Sequence, residues 1–134
     1  MPILATAYLI VLVAMALMDG CWLGLIAKGF YQRSIGHLMA DQVNVAAAIA
    51  FYLLYAAGLT VMAVRPALVS GDWRDAALQG GLLGLFAYLT YDLSNLATLK
   101  LVPVTFAIVD ILWGGILSAF ATGIAVAIAS RLFR

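Results

Sequence analysis

The 134-residue chain is 66% hydrophobic and only 10% charged, with a mean hydropathy of +1.12. A water-soluble globule is about half apolar and a quarter charged, so that class is excluded and an integral membrane protein is expected. A net charge of +1 without a basic cluster offers nothing to nucleic acid, and the single cysteine, Cys21, excludes an intrachain disulfide and reads as a small core residue.

Four windows, roughly 4–27, 44–64, 77–99 and 104–128, are long and apolar enough to cross a hydrocarbon core, which takes about 20 residues of helix. The first lacks a positively charged start and is longer than the roughly 7–15 apolar residues of a secretory signal, so it reads as a retained helix. It ends where Lys28-Gly29 and then Tyr31 to His37 bring polar groups and turn formers, making 28–43 a loop. Asn44 is placed to cap the second helix, which should stop before Arg65-Pro66 because proline disfavours helix at the residue preceding it. In the next loop Asp72 offers a cap for the third helix, Asp75 follows near its positive end, and Trp73 suits the membrane interface. The third helix stops near Lys100, and Pro103 sits where the fourth would begin. The expected architecture is therefore a single domain over 1–134, an all-α, four-helix integral membrane bundle with antiparallel neighbours. Gly20-xxx-Gly24, Gly80-xxx-Gly84 and Gly114-xxx-Ser118 have the small-residue spacing of helix packing seams, within one chain or between two copies of a homodimer.

Call the side on which the first helix starts the near side and the other the far side. Arg65, Arg74, Arg131 and Arg134 fall on the near side and Lys28, Arg33 and Lys100 on the far side. That four-to-three tally places both termini in the cytoplasm of a multi-pass inner-membrane protein, with a margin small enough to permit dual topology.

Three aspartates, Asp19, Asp92 and Asp110, lie inside three different spans. An acid at a helix centre costs roughly 2.5–3.5 kcal/mol to insert, so each is a functional-site hypothesis by default. Counting about 1.5 Å per residue along antiparallel helices puts all three at one level, roughly 10–12 Å below the far-side boundary. Tyr52 and Tyr55 on the second helix fall near the same depth. Trp22 follows Asp19 by three positions and Trp113 follows Asp110 by three, so each indole shares its acid's helix face. Tyr88, Asp92 and Asn95 form one stripe on the third helix, with Tyr91 beside it. The repeated Asp-x-x-Trp, with Tyr52-x-x-Tyr55 echoing Tyr88-x-x-Tyr91, outlines an internal inverted repeat of the kind that builds a site between two halves. No lysine, arginine or histidine lies inside a span, so the three acids call for a proton or a cation among them. These ten residues form the candidate binding pocket.

The segments Met18–Tyr31, Phe51–Gly58, Tyr88–Thr98 and Val109–Gly114 resemble a bacterial family of small membrane proteins known as domain of unknown function 2177. The resemblance covers nearly the whole chain and implies a helical inner-membrane protein, with no catalytic residues to carry over. Three functions remain open. Carboxylates in low dielectric can exchange a proton against a cation, and the tryptophans and tyrosines can face an organic cation, so a proton- or cation-coupled transporter or binder of a small organic solute leads. Its size and buried acid are similar to those of the small multidrug resistance transporters, although this chain has no glutamate, the acid those carry. The alternative is an enzyme acting on a lipid, with paired carboxyls as general acid and base and a tyrosine as oxyanion donor. His37 reads as a solvated loop residue, and an oxygen-rich magnesium or calcium site of three aspartates and Asn95 is the lesser possibility. A subunit whose polar layer only fixes helix packing is the third. The expected surroundings are the lipid bilayer and a small-molecule or cationic ligand, with no cofactor, no metal and no nucleic acid.

Overall fold

A computed structural model describes residues 2–40, 42 and 44–133; Arg134, counted in the charge tally, lies outside them. Among the described residues the chain forms α1 (Pro2–Ile26), α2 (Lys28–Ile35), α3 (Val45–Ser70), α4 (Trp73–Thr98) and α5 (Val104–Leu132), with no strand. It is an all-α bundle of four long helices with antiparallel neighbours. By length and composition α1, α3 and α5 qualify as membrane spans. At 26 residues α4 also has the length; its Gln79, Thr90, Asp92, Ser94 and Asn95 dilute its apolar character, and it lies alongside α5 over most of its course.

Helix starts follow local chemistry. The Asn44 side chain accepts from the Ala47 N–H at 3.1 Å and the Asp72 side chain from the Arg74 N–H at 2.9 Å, each satisfying a backbone donor that the first turn leaves unpaired. Two stretches differ from the sequence expectation. The expected loop at 28–43 contains α2 and a 3-10 turn at Gly36–Leu38, because Phe30 and Tyr31 dock on Phe106 of α5 with ring centroids 6.2 and 5.0 Å apart. And α3 does not stop before Arg65-Pro66. It widens into a π turn at Thr60–Val64 and continues to Ser70, so Pro66 falls at the start of a new α-helical segment, where its missing N–H is least disruptive.

Small residues set the tightest interface. Along α4 and α5, Gly123 meets Trp73 and Ala77, Gly80 meets Ser118 and Thr122, Gly84 meets Gly114 and Ser118, and Tyr88 lies over Gly114. Contacts that climb one helix while descending the other fix the antiparallel register. Thr122 Oγ1 donates across this seam to the Ala76 carbonyl at 2.9 Å. Gly20 and Gly24, by contrast, have no neighbour within 4 Å of where a Cβ would stand. Helix α3 behaves differently along its length. Its Thr60–Ser70 half packs against α4 and α5, whereas its Val45–Leu59 half rests on α1 and parts from α4.

Candidate functional site

Where α3 and α4 part, toward the far side, the bundle encloses a cavity of about 470 Å³. All five helices line it. Helix α1 contributes Asp19, Trp22 and Leu23, and α2 contributes Tyr31. Phe51, Tyr52 and Tyr55 come from α3, Ala87, Tyr88 and Tyr91 from α4, and Asp110 and Trp113 from α5. Phe51 and Tyr91, 41% and 61% exposed, stand at the rim on either side of the gap. Tyr55 and Tyr88 reach across it, with ring centroids 6.3 Å apart.

Two of the three aspartates, Asp19 and Asp110, face this cavity, and each is held by donors from other helices. Asp19 accepts from the Tyr52 hydroxyl at 2.7 Å and from the Trp113 indole N–H at 2.8 Å. Asp110 accepts from the Tyr31 hydroxyl at 2.6 Å, and that same hydroxyl accepts from the Trp22 indole N–H at 3.2 Å. The two Asp-x-x-Trp motifs thus cross. Each indole serves the acid of the opposite helix, directly in one case and through Tyr31 in the other. The two indoles stack face to face, with centroids 4.5 Å apart and planes within 9°. Hydrogen bonds to charged acceptors are the strong kind, and in hydrocarbon the alternative is an unsatisfied donor, so this network fixes the ring positions firmly. Burial pushes the Tyr31 phenol above its ordinary range, and its bond to Asp110 adds to the effect, so the hydroxyl stays a donor.

Asp92 is placed differently. It is 1% exposed, and neither carboxyl oxygen has a hydrogen-bond partner. It lies within electrostatic reach of Asp110, behind the cavity wall rather than on it. Asn95, one turn farther on, is half-buried and also outside the cavity. The stripe of α4 that meets the cavity is therefore Ala87, Tyr88 and Tyr91. This corrects the Tyr88–Asp92–Asn95 face expected from spacing: at 100° per residue, Tyr91 turns toward the gap and Asp92 toward α5. Tyr55 does not bond an acid; its hydroxyl pairs with Ser118 at 2.6 Å. His37 is exposed in the far-side turn, away from the cavity. Among the described residues, no group of three or more His, Cys, Asp or Glu side chains is arranged to hold a metal ion.

Sequence reasoning missed Tyr31, Leu23, Phe51 and Ala87. The last three are apolar and carry no chemical signal. Tyr31 carries one, an aromatic pair with Phe30 inside an otherwise polar stretch, which marks a segment that folds back onto the bundle. Chemically the cavity offers carboxylate oxygens and ring faces. No lysine, arginine or histidine lines it, and both indole N–H groups are already engaged.

No curated protein and no solved structure matches the chain. A family model described as "Predicted membrane protein (DUF2177)" matches residues 4–127, nearly the full length. With its long apolar helices and this match, the chain is a membrane protein and belongs to the DUF2177 family.

Proposed function

We propose that this protein binds, and carries across the membrane, a small organic solute in exchange for a proton or cation. It would sit as a multi-pass protein of the inner membrane, with both termini cytoplasmic and the cavity in the extracytoplasmic half. The observation that carries this is the division of labour among three acids. Asp19 and Asp110 face one aromatic cavity, while Asp92 is buried without a partner next to Asp110. An ionised carboxylate there would be held in low dielectric with nothing to compensate it, and a proton or a cation removes that cost. A solute cation arriving at Asp110 competes for the same charge, which is the linkage an exchanger needs. The crossed Asp-x-x-Trp pairs support a site built between two related halves.

The test is proton release. Purified protein in weakly buffered detergent solution is titrated with small organic cations while pH is followed. The wild type is expected to release protons on binding, and Asp92→Asn, which keeps the shape and removes the titrating group, to release far fewer. Unchanged release by a folded Asp92→Asn protein would rule out coupling through this residue.

A second function is favoured by one observation, the separation of the Val45–Leu59 half of α3 from α4 beside the cavity; a gap there between two long helices would suit a lipid substrate. Asp19 and Asp110 would then act as acid and base. Turnover of a membrane lipid by the wild type but not by Asp19→Asn, followed by mass spectrometry of extracted lipids, would select it over transport.

A further inference from the structure

The cavity has two kinds of boundary, and together they describe its ligand. We infer that the solute is an amphipathic organic ammonium ion. Its charged head sits between Asp19 and Asp110 against the aromatic rings, and its apolar tail lies in the gap between α3 and α4. This deepens the transport reading above and rests on it.

The head follows from counting donors and acceptors. Trp113 and Tyr52 already donate to Asp19, Trp22 to Tyr31, and Tyr31 to Asp110. An anionic ligand would meet two carboxyl groups and no cation, which is strongly repulsive. A cation meets the remaining acceptor capacity of both acids, since each carboxylate has about four lone-pair sites. It also meets the aromatic rings of Tyr52, Tyr55 and Tyr88 at the wall, whose faces would attract positive charge.

The tail follows from where the wall is missing. The Val45–Leu59 half of α3 leaves α4, and the exposed residues of the lining are Phe51, Ala87 and Tyr91 on those two helices and Leu23 on α1. An opening on the flank of two long helices, bordered by apolar and aromatic groups, would admit a molecule already dissolved in the bilayer. It also lets the part that does not fit stay in lipid. A volume of about 470 Å³ is in the range of small-molecule sites and accommodates a head and the first part of a chain.

The experiment uses the full chain in phosphatidylcholine nanodiscs, with Trp73→Phe as background so that the remaining tryptophans, Trp22 and Trp113, report on the cavity. Fluorescence is titrated with octyltrimethylammonium, tetramethylammonium and octanoate. Octyltrimethylammonium is expected to give a saturable change. Asp19→Asn should weaken it about tenfold or more, the worth of one close charge contact. Tetramethylammonium should bind at least about tenfold more weakly than the octyl compound, and octanoate should give no saturable change. Ala87→Phe, which narrows the gap, should lower the affinity for octyltrimethylammonium by a larger factor than that for tetramethylammonium. Circular dichroism and gel filtration confirm folding, and Asp110→Asn replaces Asp19→Asn if the latter misfolds. Equal affinity for the two ammonium ions, or indifference to Ala87→Phe, overturns the bilayer-facing tail while leaving cation binding intact. Octanoate binding as tightly as the ammonium overturns the cationic head. Failure of both ammonium ions overturns this inference and the cation-linked function beneath it.

Discussion

The near and far halves of the bundle are made by the same helices and solve opposite problems. In the near half, α4 and α5 meet through Gly80, Gly81 and Gly84 against Ser118, Ala119 and Thr122. Around them Ala7, Val11, Leu117, Ala121 and Val126 are fully buried. In the far half, Tyr55 of α3 and Tyr88 of α4 meet across the gap between those helices, and tryptophans and acids of α1 and α5 line the cavity beside them. The contrast shows that side-chain size sets backbone spacing here. Lipid gives helices no hydrophobic reason to associate, so close van der Waals contact must hold them, and only small residues permit it. Where large rings intervene, that contact is lost, and hydrogen bonds to buried carboxyls take its place as the cross-links.

The near half should break first when its spacing is altered. A Cβ at Gly80 would stand 2.9 Å from the Ser118 carbonyl oxygen and overlap Thr122, and one at Gly84 would overlap Ser118 and the Gly114 carbonyl. Backbone atoms cannot rotate aside, so Gly84→Val is expected to cost roughly 3 kcal/mol or to separate the helices outright. Denaturation by increasing SDS in mixed micelles measures this. Gly24→Val, with open space around it, should stay within about 0.5 kcal/mol of wild type. Equal effects at the two sites would mean that the α4–α5 seam is not what holds the near half together.

The seam was legible in the sequence, and so was the pairing of Asp19 with Asp110 that the shared cavity shows, for a common reason. Glycine spacing and helical rise are local and regular, so counting residues along antiparallel helices brings Asp19 and Asp110 to one depth and Gly80 and Gly84 to one face. What could not be read depends on contacts remote in the chain. Tyr31 belongs to a stretch that looks like a polar loop, and it reaches Asp110 only because Phe30 and Tyr31 find Phe106. The extension of α3 past Pro66 needs a widened turn at Thr60–Val64 that no local rule announces. Asn95 shares the stripe of Tyr88 on a helical wheel, yet a wheel does not say where its neighbours end, and the cavity stops a turn earlier.

Within the far half, Asp19 and Asp92 give the next comparison, because one is fully engaged and the other has no partner. Asp19→Leu leaves the Tyr52 hydroxyl and the Trp113 N–H without acceptors and should cost about 2 kcal/mol. Asp92→Leu removes a buried carboxyl that makes no hydrogen bond, and should be neutral or stabilising by about 1 kcal/mol. Thermal unfolding in a single detergent at neutral pH decides the sign. A large loss of stability at Asp92→Leu would show that the carboxyl makes a structural interaction after all, and the case for leaving it to exchange a proton or cation would weaken.

The smallest difference separates the two indoles. They stack on one another, so replacing either by phenylalanine removes similar ring contact, and what distinguishes them is the acceptor each one loses. Trp113 donates to a carboxylate at 2.8 Å, whereas Trp22 donates to a phenol oxygen at 3.2 Å. A bond to a charged acceptor contributes roughly 1.5–3 kcal/mol and a neutral one roughly 0.5–1.5. Trp113→Phe should therefore be more destabilising than Trp22→Phe by about 1 kcal/mol in the same unfolding assay. Because Tyr31 keeps its own bond to Asp110 when Trp22 is replaced, the loss there ends at one link. Replacing Trp113 instead leaves Asp19 with Tyr52 as its remaining donor among the described residues, and so loosens that acid. Equal costs would mean that the stacked rings, rather than the acids they serve, fix the level of the site.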